Sequence, residues 1–216
     1  MGVKETAEFI RAEYPGTGMG RKRRRVFSVG INDADYVTAP TVNGASLLCP
    51  AYRDWRDMVK RVYSEKYLTI RPTYRGAKLY EDWHYFSAFR EWWIHNVVDG
   101  YQLDKDILVE NNRIYAPETC IYIPAWLNTF IVDHRGYRGP WKIGVDLHKK
   151  TGMFRAQCRH PLTRAREYLG LYGTEEEAHK TWLTRKLEIA KSLRPEIDKI
   201  DVRLYPRIVS IIKKAK

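Results

Sequence analysis

The sequence predicts an α+β chain, on three observations. Residues 141–172 alternate apolar and polar positions in three runs and are followed by a helical pattern from Thr174. Two aromatic-rich helical patterns occupy the first half. Between them and the alternating runs lies a short hairpin-like stretch that leads into a third helix start at Pro117. The predicted architecture is a ββα unit embedded in aromatic-rich helices, followed by a three-stranded antiparallel sheet with one backing helix.

The C-terminal sheet is the most regular part. Residues 141–146 alternate, 149–152 form a turn, and 153–159 alternate again, with Phe154, Ala156 and Cys158 on one side and Arg155, Gln157 and Arg159 on the other. Residues 168–172 read as a third strand. Thr174 starts a helix with Glu177 three residues on, a capping-box spacing. Ala178, Trp182, Leu183, Leu187 and Ala190 form its apolar stripe. Between Arg135 and Gly170 stand Arg135, Arg138, Lys142, Lys149, Lys150, Arg155, Arg159, Arg164 and Arg166, opposed only by Asp146 and Glu167. A twisted sheet with such a face suits a DNA groove, phosphates at the rim and base edges at the centre. An ordinary solvated sheet face is the alternative.

Composition points the same way. The chain has 216 residues and a formal net charge of +12, which favours an anionic partner, most often nucleic acid. Aromatic residues make up 13%, enough for a substantial core. Cys49, Cys120 and Cys158 are far apart and form no CxxC pair, so neither a disulfide framework nor structural zinc is indicated. There is no run of membrane-spanning length and no signal-peptide core, and a reducing cytoplasm fits.

From the N-terminus, residues 1–14 suit a short helix whose apolar positions are too sparse to pack strongly. Residues 15–20 are a flexible break, and Arg21, Lys22, Arg23, Arg24 and Arg25 follow. Such a run is either a solvated segment or a phosphate-binding arm. Residues 26–30 read as a strand, and 32–35 and 43–44 as turns. Pro50 opens a helix carrying Tyr52, Trp55, Val59, Val62 and Tyr63 on one face, and residues 81–96 form a second with Trp83, Phe86, Phe89, Trp92 and Trp93. Both stripes are expected in the core.

Residues 102–109 read as a strand, 110–112 as a turn and 113–115 as a return strand. Asp104 and Asp106, two positions apart, face one side of such a strand and can share one hard cation, with Asn112 or Asn128 completing the site. The alternative is a hairpin salt bridge from either aspartate to Arg113. Lys105 is a poor general base at its ordinary pKa but can stabilise developing charge on a phosphate. After the helix that stops before Pro195, one more amphipathic helix is expected beyond Pro206, packed on the core.

Two sets of residues carry a family resemblance. Ile143-Gly144-Val145, His148-Lys149, Gly152, Phe154-Arg155-Ala156-Gln157, Leu169-Gly170 and Thr174-Glu175-Glu176-Glu177-Ala178 resemble the AP2 DNA-binding domain of phage homing endonucleases. Gly30–Tyr36, Cys49-Pro50, Trp55, Met58, Glu81-Asp82-Trp83, Leu103–Leu108, Tyr115–Cys120, Pro124 and Asn128 resemble the HNH-type nuclease half of the same enzymes. Together they cover residues 26–192. The resemblance implies a sheet lying in the major groove of double-stranded DNA, with His148, Lys149, Lys150, Arg155, Gln157, Arg159 and Arg166 as candidate contacts. It also implies metal-dependent hydrolysis of a DNA phosphodiester with one Mg²⁺ or Mn²⁺ ion. Asp104, Lys105, Asp106 and Asn128 are the candidate catalytic residues, and Asp104, Asp106 and Asn112 the candidate ligands.

The chain departs from the HNH pattern in one respect: Lys105 stands where the family has the water-activating His. That favours a rival reading, a non-catalytic DNA-binding regulator or inhibitor with a protein partner. An RNA-binding protein is a more remote option. The corresponding divisions are residues 1–25 as a basic arm, 26–134 as the nuclease-like domain, 135–192 as the AP2-like domain and 193–216 as a helical extension.

Overall fold

The computed structural model describes residues 1–16, 24–131 and 140–215. The fold is mixed α+β and contains two compact units, Met1–Tyr122 and Ile123–Lys216. Among the described residues no helix is long and apolar enough to cross a membrane.

The first unit starts with α1 (Val3–Glu13), followed by the hairpin β1 (Thr41–Val42) and β2 (Ala45–Ser46). Then come α2 (Pro50–Tyr63), α3 (Glu65–Ile70), β3 (Lys78–Leu79) and α4 (Phe86–Asn96). It closes with β4 (Tyr101–Asp104) and β5 (Ile114–Tyr115). Pro50 takes a first-turn position, where its missing N–H costs nothing. The two aromatic stripes meet as expected: Trp55, Trp83, Phe86, Phe89 and Trp93 are essentially solvent-free. The Trp55 indole N–H donates to the carbonyl of Trp83 at 2.7 Å. Asp54 Oδ2 accepts from the Trp93 indole (3.0 Å) and the Tyr122 hydroxyl (2.8 Å), so this carboxylate ties α2 to two partners.

Several local expectations are corrected. Helix α1 is not loosely attached: Ala7 and Ile10, few as they are, are both fully buried in the main core. Residues 26–30 are not a strand but a tight loop, with Phe27 and Ser28 at positive φ and paired Val26–Gly30 backbone bonds of 2.8 Å. The second aromatic helix is interrupted. A 3-10 turn (Glu81–His84) is followed by extended Tyr85, because Ile31 bonds the backbone on both sides of that residue. Asp33 then caps α4 from a distant loop by accepting from the Ser87 backbone N–H at 2.8 Å and from its hydroxyl.

The expected hairpin of residues 102–115 does not form. β4 ends at Asp104 and pairs with β6 (Ile121–Pro124), while β5 pairs in parallel with β3. The long-range partner supplies backbone bonds that a local return strand was expected to give.

The second unit contains α5 (Ala125–Ile131) and the antiparallel sheet β7 (Val145–His148), β8 (Met153–Arg159) and β9 (Arg166–Tyr172). It ends with α6 (Glu175–Ser192), α7 (Arg194–Ile200) and α8 (Leu204–Lys214). Helix α5, which the sequence reading grouped with the nuclease-like stretch, belongs here. Ala156 and Cys158 face α6, where Ala178 and Trp182 are buried. Thr174 caps α6 by accepting from Glu177 N–H at 3.2 Å. Leu193, Ile197, Leu204, Ile208 and Ile212 bury the two final helices.

β7 is shorter at its start than predicted, because residues 143–144 turn, with Gly144 at φ +81°. A Cβ there would stand 2.1 Å from the Trp182 ring. Gly144→Ala is therefore expected to destabilise the protein by about 2–4 kcal/mol, combining left-handed strain with overpacking. A drop in Tm measured by calorimetry checks this; an unchanged Tm refutes it.

Candidate nucleic-acid interface

The pairing register fixes the open face of the sheet. Asp146 is opposite Arg155, His148 opposite Met153, Gln157 opposite Tyr168, and Arg159 opposite Arg166. Directly opposed residues share a face, so Asp146, His148, Arg155, Gln157, Arg159, Arg166 and Tyr168 project together, away from α6. A bulge at Leu169 shifts the parity of β9. It puts Leu171 on the open face and turns Tyr172 inward, where strict alternation would have kept Tyr168 and Tyr172 together. Tyr168 is 63% exposed and was not singled out from sequence. Its signal was the alternation with Arg166.

At the centre of this face three side chains form one network. Asp146 accepts from Arg155 Nε (2.8 Å) and Nη2 (2.9 Å), a bidentate pair, and from Gln157 Nε2 (2.9 Å). The carboxylate beside it raises the Arg155 pKa further. Arg155 is thus held in one orientation, with Nη1 not engaged by Asp146. Around it lie exposed Lys149, Lys150, Arg159 and Arg166. The Lys149-Lys150 turn is rigid: Thr151 and Gly152 N–H groups donate to the His148 carbonyl (3.1 and 3.0 Å), and His148 Nδ1 bonds the Thr151 hydroxyl (2.8 Å). Arg159 and Arg166 are like charges in directly opposed positions, which is unfavourable without an anion between them. Of the basic run, Arg21, Lys22 and Arg23 lie outside the described residues, and Arg24 and Arg25 are exposed.

The acidic stretch is a turn, not a strand face. Asp104 Oδ1 accepts from the backbone N–H groups of Asp106 and Ile107, both at 2.8 Å, and so folds the chain sharply after β4. Asp106 is exposed and its Oδ1 pairs with the ammonium of Lys105, a buried lysine that also sits over the Tyr115 ring at 5.5 Å. Asn112 is spent on the main chain. Its Nδ2 donates to the carbonyls of Lys105 (2.6 Å) and Ile114 (2.7 Å), and its Oδ1 accepts from Ile114 N–H (3.2 Å). It stitches the loop rather than presenting an oxygen to an ion. Arg113, the expected salt-bridge partner, instead donates to the Arg75 carbonyl at 3.1 Å. Asn128 is half-buried on α5, in the other unit.

Two residues that sequence reasoning missed lie by this turn. The Tyr74 hydroxyl is close enough to feel Asp104 and Asp106, and Arg61 lies against the Tyr115 hydroxyl. They come from α2 and a 3-10 turn, and no local spacing announced them. His84, the nearest histidine candidate by sequence, is committed elsewhere: Nδ1 donates to the Glu81 carbonyl (2.8 Å), so Nε2 accepts from Tyr63 (2.8 Å).

A single divalent ion can be tested against these groups. Oδ2 of Asp104 and Oδ2 of Asp106 carry no described hydrogen bond, and two carboxylates plus water satisfy a Mg²⁺-type site. Among the described residues no third His, Cys, Asp or Glu clusters with these two carboxylates, and the Lys105 ammonium already pairs with Asp106, so the fit rests on two carboxylate oxygens alone.

Comparison with protein-family models, with curated proteins and with solved structures gives no match to this chain.

Burial raises the Asp104 carboxyl above its ordinary pKa, against the pull of its two backbone donors. A carboxyl raised in the folded state penalises folding above that pKa, and the penalty fades as pH falls toward the ordinary value near about 4. Asp104→Asn keeps the acceptor and removes the charge, so it should be at least as stable as wild type at neutral pH, the gap closing on acidification. Asp104→Ala loses both backbone contacts and should cost about 1–2 kcal/mol. Urea denaturation across the pH range measures both; equal stability of the Ala variant would show the turn does not depend on this carboxylate.

Proposed function

We propose that this chain is a duplex-DNA-binding protein of the phage homing-endonuclease kind, which reads a site with the open face of its three-stranded sheet. The observation that carries the reading is the Asp146–Arg155–Gln157 network at the centre of that face, with exposed Lys149, Lys150, Arg159 and Arg166 on the same sheet. Arg155 held by a carboxylate keeps N–H donors for a guanine edge, and Gln157 beside it is matched to an adenine edge. Lys149, Lys150, Arg159 and Arg166 supply phosphate contacts, which fix register without choosing sequence. The net charge of +12 supports the same partner.

A second reading adds metal-dependent phosphodiester cleavage, favoured by the close approach of Asp104, Asp106 and Lys105. Asp104 and Asp106 would hold the ion. A bound divalent ion polarises a phosphate oxygen and activates water. Lys105, fixed over Tyr115, would stand as a positive charge beside the attacked phosphate. The commitment of His84 to Tyr63 and Glu81 leaves no histidine base at this turn among the described residues, which is why binding, rather than cleavage, is the primary proposal.

Binding is tested by selecting sites from a randomised duplex pool and measuring fluorescence anisotropy against salt. Arg155→Ala is expected to cost about 1–3 kcal/mol on the selected site and to relax one base position. Lys149→Ala is expected to weaken all sequences alike and reduce the salt slope by about 1. No affinity for any duplex at low ionic strength overturns the proposal. Cleavage is tested on plasmid with Mg²⁺ or Mn²⁺: nicking lost in Asp106→Asn with anisotropy intact supports the second reading. Tight binding without strand breaks in either metal eliminates it.

A further inference from the structure

The second unit holds a cavity of about 520 Å³ whose lining includes none of Asp146, Arg155 and Gln157. Its walls include Trp126 and Phe130 from α5 and Trp182 from α6, and Lys186, Arg159 and Arg164 also line it. The Lys186 ammonium lies 3.8 Å from the centroid of the Phe130 ring and 5.9 Å from that of Trp182. No carboxylate among the described residues forms an ion pair with it. Burial lowers its pKa to about 8, so the site holds a cation it has not neutralised. Arg164 reaches the rim from a backbone at φ +60°, a conformation an arginine adopts only when its surroundings impose it. The loop doing so is closed by bonds of 2.9 Å from Arg164 N–H to the His160 carbonyl and from His160 N–H to the Ala165 carbonyl.

Aromatic walls with clustered cations and, among the described residues, no acid select a planar, apolar, anionic ligand. We infer that this cavity receives a single nucleotide, its base against the part-exposed Trp126 and its phosphate at Lys186 and Arg164, with the buried Trp182 as a wall. Base stacking on aromatic side chains is tolerant of base identity, and charge-assisted contacts hold the phosphate. The inference goes beyond duplex reading by the sheet and does not require it. The nucleotide comes either from solution or from a DNA strand with one base extruded.

The test uses the full-length protein and a fluorescent aminopurine, whose emission is quenched on stacking. The probe is offered as its free deoxynucleoside monophosphate, within a single-stranded trinucleotide and within a duplex. Quenching and saturable binding of the free monophosphate assigns a soluble nucleotide; response only within DNA assigns an extruded base. Trp126→Ala is expected to weaken the responding probe by at least about fivefold. Lys186→Met should weaken it roughly tenfold and Lys186→Arg much less, thermal melts confirming that each variant is folded. Absence of quenching in all three forms, or wild-type affinity in both Trp126→Ala and Lys186→Met, overturns the inference. A protein that binds duplex but fails this test loses the pocket assignment alone.

Discussion

The seating of Trp182 against Gly144 governs the second unit. The indole occupies the space where any side chain at position 144 would begin, so β7 can approach α6 only through a glycine, and only at a positive φ. The same close approach continues along β8 at Ala156 and Cys158, both buried and small, while Phe154 on the same side packs against Trp141. Strict alternation then leaves the large polar residues of β8, Arg155, Gln157 and Arg159, on the other face. The spacing that makes a core under the sheet therefore also makes a charged plate above it. Arg185 of α6 reinforces this by taking Glu167 in two contacts of 2.6 and 3.2 Å. That withdraws the one acid of β9 to the helix side and leaves Arg159 and Arg166 without it.

The first unit is organised differently. Its strands are short, and its order comes from aromatic packing and from single carboxylates bonded to groups far along the chain. Asp54 ties α2 to the Trp93 indole and the Tyr122 hydroxyl, Asp33 caps α4, and Asp104 shapes the turn after β4. Asp33 and Asp104 are hydrogen-bonded in these roles to neutral donors, which stabilise their charge without cancelling it, whereas Asp54 also meets the Arg53 guanidinium at 3.4 Å. Asp104 and Asp106 thereby approach one another although they no longer lie on one strand face. The structural task of Asp104 and a metal-binding task use different oxygens, so they are chemically compatible.

The sheet and its helix were legible because both follow simple periods: alternation from residue 153 to 159, and a capped apolar stripe from Thr174. The sequence also showed the aromatic cores of α2 and α4, since Trp at helical spacing is strongly biased inward. What escaped was non-local. Nothing near Ile114 and Tyr115 announces Lys78 and Leu79 as their parallel partners. The bulge at Leu169 has no signature beyond Gly170, yet it decides which of Leu171 and Tyr172 faces outward. Asp146 was readable only as a minority charge, because its two partners become neighbours only once β7 and β8 are in register. Lys186 looked like one more basic residue on an amphipathic helix. Its setting depends on α5, far away in sequence.

On the proposed duplex-binding reading, the Asp146 network sets how the sheet would treat DNA. A lone acid in a basic face lowers the field that attracts phosphates, so on electrostatics alone it weakens binding to every sequence. It acts differently on choice between sequences. An unrestrained arginine adapts to phosphates or to several base edges and loses rotamer freedom whenever it is ordered. Arg155, already gripped through Nε and Nη2, has surrendered that freedom in the folded protein, and what remains is offered in one direction. Gln157, donating to the same carboxylate, is held with its oxygen free to accept. A wrong base then faces donors and acceptors that cannot turn away, and the penalty of leaving them unmatched is not relieved by rearrangement. In the proposed reading the carboxylate therefore trades general affinity for discrimination, the exchange expected of a surface that must choose one sequence among many.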